Sequence, residues 1–174
     1  PWVRYWCTFP IQSQKCKGSW SLLKMFKAHN AARAKEAALK TYLTDNWDVD
    51  RVRTYIALRN WACVWDDGTH NYYLWQQPNG KWAIIPWDHD AEYASKAYDT
   101  TIYGTASLFK ESFLRAGTFR NEYNQKMWLL NNTLLTPASL QAIGVNIDPA
   151  WVANRNANVN TQLGLGTFKR PNQQ

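Results

Sequence analysis

The fold is decided by residues 64–93, which read VWDDGTHNYYLWQQPNGKWAIIPWDHDAEY. A polar loop opens this stretch. It is followed by an aromatic run, residues 72–75, and by a Pro-Asn-Gly turn signal in which Asn-Gly suits positive φ angles. A second apolar run, residues 81–85, returns and stops at Pro86, which removes a donor from the strand ladder. The stretch therefore predicts a β-hairpin with carboxylates at its open end.

Three polar side chains are expected to come from neighbouring strand ends of this hairpin. Asp66 and Asn71 precede the first strand, and Asp88 follows the second. An Asp with an Asn five residues later is the spacing of a kinase catalytic loop, where the Asp faces the attacking hydroxyl and the Asn turns to a metal ion. Mg²⁺ binds few carboxylates and keeps water or phosphate as its other ligands. The pattern favours phosphoryl transfer, although Asp66 could instead only bond nearby amides at the end of the preceding helix.

Other residues of the stretch have a functional and a structural interpretation. Asp67, directly before Gly68, is expected to satisfy a turn. His70 could be a metal ligand or a base, but a structural hydrogen bond that shapes the loop is favoured. Asp90 could bind a second metal ion or cap the following segment. Trp87 is expected in the core rather than in a substrate platform.

The rest of the chain reads mainly as helix, so the expected fold class is α+β. Helix formers, apolar spacing and capping residues carry this prediction. The expected helices are residues 20–43 with Asn30 as a candidate break, 49–64 capped by Asp48 or Asp45, 107–115 capped by Ser107, 119–131 capped by Thr118, a short helix from Pro137 after Thr136, and 149–160.

Composition favours a globular domain with anionic partners. Hydrophobic residues make up 45% of the chain, and its 11 Trp and 9 Tyr are expected to build a core rather than an aromatic-walled cleft. The formal net charge of +7 favours nucleotides, acidic or phosphorylated peptides, or nucleic acid. The cations are scattered and form no basic arm, so a solvated surface is expected and nucleic acid is not indicated as a partner.

The cysteines and the hydropathy of the chain give information on the cellular compartment of the protein. The three cysteines include no C-x-x-C spacing, which argues against a cysteine-based metal site. Cys7 and Cys16 could form a disulfide in a secreted protein, and Cys63 reads as a buried helix position. No run approaches the ~20 apolar residues of a transmembrane helix, and no signal peptide is seen. The chain begins at Pro1 without Met, which is typical of a processed product or a fragment.

Several motifs together point to one family. They are Asp50 and Tyr55 at the head of a helix, Asp66 with Asn71-Tyr-Tyr-Leu-Trp, Gly-Lys-Trp, Ile-Pro-Trp-Asp88-x-Asp90, Phe119-Arg120-x-x-Tyr123 and Leu-Leu-Thr-Pro. This set resembles the spore-coat CotH kinase family over about residues 45–150. Asn-Tyr-Tyr-Leu and Pro-Trp-Asp-x-Asp are the most specific part.

The resemblance implies an atypical protein-kinase-like fold that uses ATP and a divalent metal (Mg²⁺, or Mn²⁺ or Ca²⁺) to phosphorylate protein serines. It implies a secreted, cell-surface or coat-associated protein. By this resemblance, Asp66 is the catalytic aspartate. Asn71 and Asp88 bind the metal–nucleotide cofactor, with Asp88 in the role of the kinase DFG aspartate. Asp90 is the further metal ligand.

The resemblance also predicts a domain organisation. The family's amino-terminal lobe, with its nucleotide-binding lysine, is not recognisable in residues 1–44, so the chain is expected to hold mostly the carboxy-terminal lobe, residues 19–163. An irregular aromatic segment, residues 1–18, precedes it, and a frayed tail, residues 164–174, follows. The remainder of the parent chain is then an expected partner, beside the protein substrate.

Two other classes of function stay open. Asp88-x-Asp90 after an apolar strand also suits the D-x-D metal site of a nucleotide-sugar glycosyltransferase, although no upstream Rossmann region is seen. A non-catalytic binding or structural module that keeps the fold is the other alternative. The glycosylation sequon Asn131-Asn132-Thr133 is a weak sign of secretion.

Overall fold

A computed structural model describes residues 19–64, 67, 70–89, 98–105, 108–115 and 117–164 of the 174-residue chain. The predicted segment 1–18, with Cys7 and Cys16, lies outside these residues, as does the tail from residue 165. The chain divides into two compact units, Pro1–Asp45 and Asn46–Gln174. The described residues form mostly helices and one two-stranded antiparallel sheet, which confirms the α+β class. No helix among them is long and apolar enough to cross a membrane.

The first unit contains a helical hairpin. Its helix α1 is Ser19–Ala32, and α2, which begins in this unit, is Glu36–Asn46. The predicted break is present, but it falls at residues 33–35, just beyond Asn30. There the backbone amides of Ala34 and Lys35 bond three residues back. The turn brings the Tyr42 hydroxyl to the Met25 carbonyl, 3.0 Å away.

Helix α3, Val49–Trp61, is the central helix of the second unit. Asp48 caps it as predicted, since its side chain accepts a hydrogen bond from the Arg51 amide at 3.2 Å. The helix ends before the predicted residue 64, because Cys63 adopts a left-handed φ of 60°. Cys63 is buried, as expected, but it lies after the helix rather than within it.

The predicted hairpin is confirmed. Strands β1, Tyr72–Gln76, and β2, Trp82–Pro86, pair with Tyr72 opposite Pro86 and Gln76 opposite Trp82. The turn uses a positive φ, 83°, only at Gly80, whereas Asn79 stays outside the left-handed region. The Asn-Gly pair therefore belongs to a longer loop, residues 77–81, rather than to a type I′ turn, in which both residues would need positive φ.

The hairpin is held against the beginning of α3. The Asp48 amide donates to the Trp82 carbonyl at 2.9 Å, and Trp47 forms a parallel bridge with Trp82. The side-chain amide of Gln77 donates to the Asp48 carboxylate at 3.2 Å. Since Asp48 also caps α3, one residue couples the start of the helix to the hairpin.

Helices complete the second unit: α4, Leu108–Glu111; α5, Gly117–Leu129; a π-helical segment, Leu130–Leu134; α6, Pro137–Ala142; and α7, Pro149–Gln162. Thr136 caps α6 by accepting from the Ser139 amide, and Asp148 caps α7 by accepting from the Ala150 amide. These two starts are as predicted. Thr118 lies inside α5 rather than at its cap, and α4 is shorter than expected.

Large aromatic side chains fill much of the core, as the composition predicts. Trp47 contacts the rings of Phe109 and Phe113 at centroid distances of 5.1 and 5.3 Å. Trp61 meets Trp151 edge-to-face at 5.6 Å. These contacts join Trp47, which precedes α3, to α4 and the residues after it, and they join the end of α3 to α7.

The glycosylation sequon has a buried acceptor. Asn131 is 1% exposed, and its side-chain amide donates to the Asn156 carbonyl at 3.2 Å and to the Asn160 side-chain oxygen at 3.1 Å. The folded chain does not offer this amide to a modifying enzyme, so the sequon gives no support for secretion.

Candidate functional site at the open end of the hairpin

The open end of the hairpin brings Asn71 and Asp88 together. Beyond the last strand pair, the Trp87 amide donates to the Asn71 carbonyl at 3.1 Å, and Asp88 follows directly. Nε2 of His89 lies 3.0 Å from the same carbonyl, so the imidazole donates to it from this nitrogen. Two residues that the sequence places 17 positions apart are thus neighbours, as the hairpin prediction required.

Both residues have left-handed backbones. The φ angles are 62° at Asn71 and 54° at Asp88, and Cys63 is the only other described non-glycine residue with positive φ. Such a conformation costs about 1 kcal/mol or more and persists where the surrounding structure holds it, often at functional sites. Its occurrence on both chain segments at the open end of the hairpin supports a site built on these two residues.

Asn71 and Asp88 supply oxygen donors that suit a divalent cation. Asp88 is exposed and Asn71 is partly exposed, so both side chains are accessible to a ligand from solvent. Mg²⁺ is commonly held by one or two protein oxygens, with water and substrate phosphate as its other ligands. The described residues include no cluster of three or more His, Cys, Asp or Glu suited to a metal. The pair fits a metal that is completed by a phosphate-bearing substrate.

Asp66 and Asp90 lie outside the described residues, so their predicted roles remain predictions. His70 is described and exposed, and its role also stays a prediction.

Asp67 corrects the sequence interpretation. It was expected to satisfy a turn, yet it is fully buried and binds two cations. Arg59 donates to it through Nη2 at 2.5 Å and Nε at 2.6 Å, Lys110 Nζ at 2.8 Å, and the Tyr55 hydroxyl at 2.7 Å. We call Asp67, Arg59, Lys110 and Tyr55 the Asp67 cluster. The carboxylate is the anchor of the loop that precedes the hairpin.

Burial and charge shift the pKa values in this cluster. Burial opposes ionisation of Asp67, but the hydrogen bonds and charge of Arg59, then Lys110, outweigh it, so the pKa of Asp67 lies below its ordinary value. Burial lowers the pKa of Lys110 to about 8, against the attraction of Asp67. Burial, then the charge of Asp67, raises the pKa of Tyr55. The Tyr55 phenol therefore keeps its proton and donates a hydrogen bond to the carboxylate.

The sequence analysis missed the cations of this cluster. Arg59 was placed with the scattered surface cations, but it is 4% exposed, and Lys110 is fully buried. One signal existed: Tyr55 and Arg59 lie one turn apart on α3 and so share a helix face. Nothing local marks Lys110, which reaches Asp67 from 43 residues away.

An exposed aromatic face adjoins Asp88. Trp87, expected in the core, is 59% exposed because it follows the end of β2 on the solvent side. Its ring meets that of Tyr73 edge-to-face at 5.4 Å, and Tyr73 is also exposed. Trp75, further along β1, lies under the guanidinium of Arg51 at 5.5 Å. The outer face of the hairpin thus offers aromatic rings next to the candidate cation site.

Comparison with known proteins places the chain in a family. The family model described as "CotH kinase protein" matches residues 11–149, which is well over half of the chain and includes the whole hairpin. No curated protein and no solved structure gave a significant match.

Proposed function

Since the chain belongs to the CotH kinase protein family, we propose that it forms the carboxy-terminal lobe of an atypical kinase. This kinase would transfer the γ-phosphoryl group of ATP to protein serine hydroxyls with the help of a divalent cation. The family indicates a kinase-like function, with ATP, a divalent metal and a protein substrate in general terms. The serine acceptor, the lobe assignment and a secreted or coat-associated location are parts of the proposal.

The juxtaposition of Asn71 and Asp88 carries the proposal. One hairpin presents both residues at its open end, each on a left-handed backbone, and each with an oxygen that suits Mg²⁺. Asp90, two residues after Asp88, would be the further metal ligand. A divalent ion bound there would neutralise charge on the phosphates of ATP.

Asp66 would act on the acceptor. The serine oxygen attacks the γ-phosphorus, the bond from that phosphorus to the bridging oxygen breaks, and ADP leaves. The serine proton passes to the carboxylate of Asp66. Asp67 cannot take this role, because its carboxylate is buried and already accepts hydrogen bonds from Arg59, Lys110 and Tyr55.

The exposed rings beside Asp88 also support a nucleotide. Aromatic faces stack on nucleobases whatever their sequence, each contact contributing about 1–3 kcal/mol. Tyr73 and Trp87 are both exposed next to the residue proposed to bind the phosphate-linked metal. A nucleotide with its nucleobase against these rings and its phosphates towards Asp88 would contact both the aromatic face and the candidate metal site.

Asp88→Ala is the test of the metal assignment. Mg²⁺ with ATP at 100 times its Kd is expected to stabilise the full-length protein by about 2.7 kcal/mol, seen as a rise in Tm. Asp88→Ala is expected to abolish that rise, because the main anionic ligand is removed. Asp45→Ala, at an exposed position on α2, is the control and should keep it. An unchanged rise in Asp88→Ala would remove Asp88 as a metal ligand.

Asp66→Ala separates binding from chemistry. We expect the nucleotide-induced rise in Tm to persist, since Asp66 faces the hydroxyl and not the phosphates. Phosphoryl transfer to a degenerate serine peptide library should fall by about 100-fold or more, the usual effect of losing a general base. Transfer at the wild-type rate would rule out Asp66 as the catalytic base.

The same measurements distinguish the alternatives. Metal-dependent hydrolysis of a UDP-sugar, without any effect of ATP, would favour the glycosyltransferase with its metal at Asp88 and Asp90. No rise in Tm with either nucleotide would favour the non-catalytic binding or structural module.

A further inference from the structure

We propose that the Asp67 cluster is the positioning unit of the active site: it anchors Asp67, in the loop before the hairpin, to α3, to α4 and to Gly104 after the hairpin. The inference rests on the proposed function. In it, Arg59 and Lys110 are positioning residues that act through the loop that carries Asp66, and neither touches the substrate.

The cluster is built around one buried carboxylate. Each oxygen of Asp67 accepts from the fork of Arg59, and Oδ2 also accepts from Lys110 and Tyr55. The side chains of Asp67 and Lys110 are fully buried, and that of Arg59 is 3% exposed. Lys110 lies 4.6 Å from the ring centre of Tyr72, so an aromatic residue of β1 covers the ammonium group.

The same cations also bind backbone on both sides of the hairpin. Arg59 donates to the Val64 carbonyl before the hairpin and to the Gly104 carbonyl after it, each at 2.8 Å. Lys110 donates to the backbone carbonyl of Asp67 as well as to its carboxylate. The cluster therefore joins α3, the loop before β1, the segment around residue 104 and α4.

Stability alone is a weak reason for such a cluster. Removing charges from water costs several kcal/mol for each ion, and apolar residues of similar volume often serve as well or better. The ions instead fix the orientation of Asp67, because the Arg59 fork and the Lys110 ammonium bind its carboxylate only in a narrow range of geometries. Asp67 is bonded to Asp66, with Cα atoms about 3.8 Å apart, so an anchor at Asp67 restrains the backbone of Asp66.

Catalysis is sensitive to this restraint. A displacement of about 1 Å in a reacting group can cost about 100-fold in rate. Asn71 and Asp88 sit on the hairpin, whose strand pairing and contact with the Asp48 amide do not involve the Asp67 carboxylate. Loosening the cluster should therefore displace Asp66 and leave the metal site in place.

The test compares Lys110→Met with Lys126→Met in the full-length protein. Lys126 is the matched control because it also pairs with one carboxylate, Asp50 at 2.7 Å, but near the surface. With rates normalised to the folded fraction from circular dichroism, Lys110→Met is expected to lower kcat for peptide phosphorylation about 100-fold. KM for ATP and the Kd for Mn²⁺ should stay within about threefold. Lys126→Met should change none of these.

Amide hydrogen exchange gives a second readout that needs no activity. Lys110→Met should speed exchange across residues 64–70 at least about tenfold relative to Lys126→Met, with β1 and β2 unchanged. If Lys110→Met does not fold, Arg59→Lys takes its place, since it keeps a charge but loses the fork. A wild-type kcat together with unchanged exchange would overturn the positioning role. Wild-type protein that binds no ATP and transfers no phosphate would overturn the proposed function instead, and exchange would still decide whether the cluster orders the loop.

Discussion

Arg155→Met is expected to lower the free energy of unfolding by about 3–5 kcal/mol, because more than one backbone carbonyl loses its donor at about 1–3 kcal/mol each. Arg155 is fully buried on α7. It donates to the carbonyls of Trp61 at 3.0 Å, Tyr98 at 2.8 Å and Thr100 at 2.7 Å, and also to that of Asn60. Methionine fills similar volume but donates to none of them.

The cost comes mainly from the carbonyls left behind. Those of Asn60 and Trp61 end α3, where the last carbonyls of a helix have no partner within it. Each buried acceptor that loses its donor costs about 1–3 kcal/mol. The Asn60 carbonyl keeps the Cys63 amide at 3.3 Å, so at the end of α3 this cost falls mainly on the Trp61 carbonyl. A cation at the carboxyl end of α3 also opposes the negative end of the helix dipole. Arg155 thus terminates α3 and fixes residues 98–100 against it.

Urea unfolding followed by circular dichroism measures this effect. Arg155→Met should shift the midpoint strongly with little change in the m-value. The control is Arg51→Met, because Arg51 is exposed and its described contact is a ring face of Trp75. The control should change stability by less than about 1 kcal/mol. A loss below about 1 kcal/mol in Arg155→Met would mean that water replaces the guanidinium at these carbonyls.

The parts of the fold that could be predicted from sequence have local causes. The hairpin follows from two apolar runs around Pro-Asn-Gly, and the starts of α6 and α7 follow from capping residues directly before Pro137 and Pro149. The ends of helices were less predictable. α3 stops at Trp61, where Cys63 adopts a left-handed φ and Arg155, 94 residues away, binds the last carbonyls. No local pattern carries that contact.

The candidate site also contains some residues whose placement follows from local sequence and others whose placement does not. Asn71 and Asp88 could be placed together, since strand pairing alone makes them neighbours. Asp67 could not be assigned, because Asp-Gly is a common turn signal and its real partners come from α3 and α4. Trp87 was assigned to the core on its hydrophobicity, whereas its exposure depends on which face of the hairpin the neighbouring helices cover. Buried ionic contacts between distant residues are what sequence patterns do not encode.

Asp67→Asn is expected to destabilise the protein by about 3–5 kcal/mol at neutral pH, because Arg59 and Lys110 stay buried after their shared anion is lost. Asparagine keeps the shape of the side chain but has one oxygen where aspartate has two. The Arg59 fork therefore loses one of its two acceptors. The Tyr55 hydroxyl and the Lys110 ammonium would compete for the oxygen that remains.

The pH dependence identifies this effect. The pKa of Asp67 is lower in the folded state than its ordinary value, so the carboxylate stabilises the fold above that ordinary value, about 3.9. This contribution is lost as pH falls through the folded pKa. Wild-type stability should therefore decline with acid below about pH 4, and the decline should be shallower in Asp67→Asn.

Urea unfolding between pH 3 and 7 measures both the loss and its slope. Asp50→Asn is the matched control, since the same substitution there affects a side chain that is 74% exposed and paired with Lys126. It should cost less than about 1 kcal/mol, as surface ion pairs do. If Asp67→Asn and Asp50→Asn lose equal stability at pH 7, the Asp67 cluster contributes no more than a surface pair. If the acid slope is the same in wild type and Asp67→Asn, other carboxylates cause the acid loss.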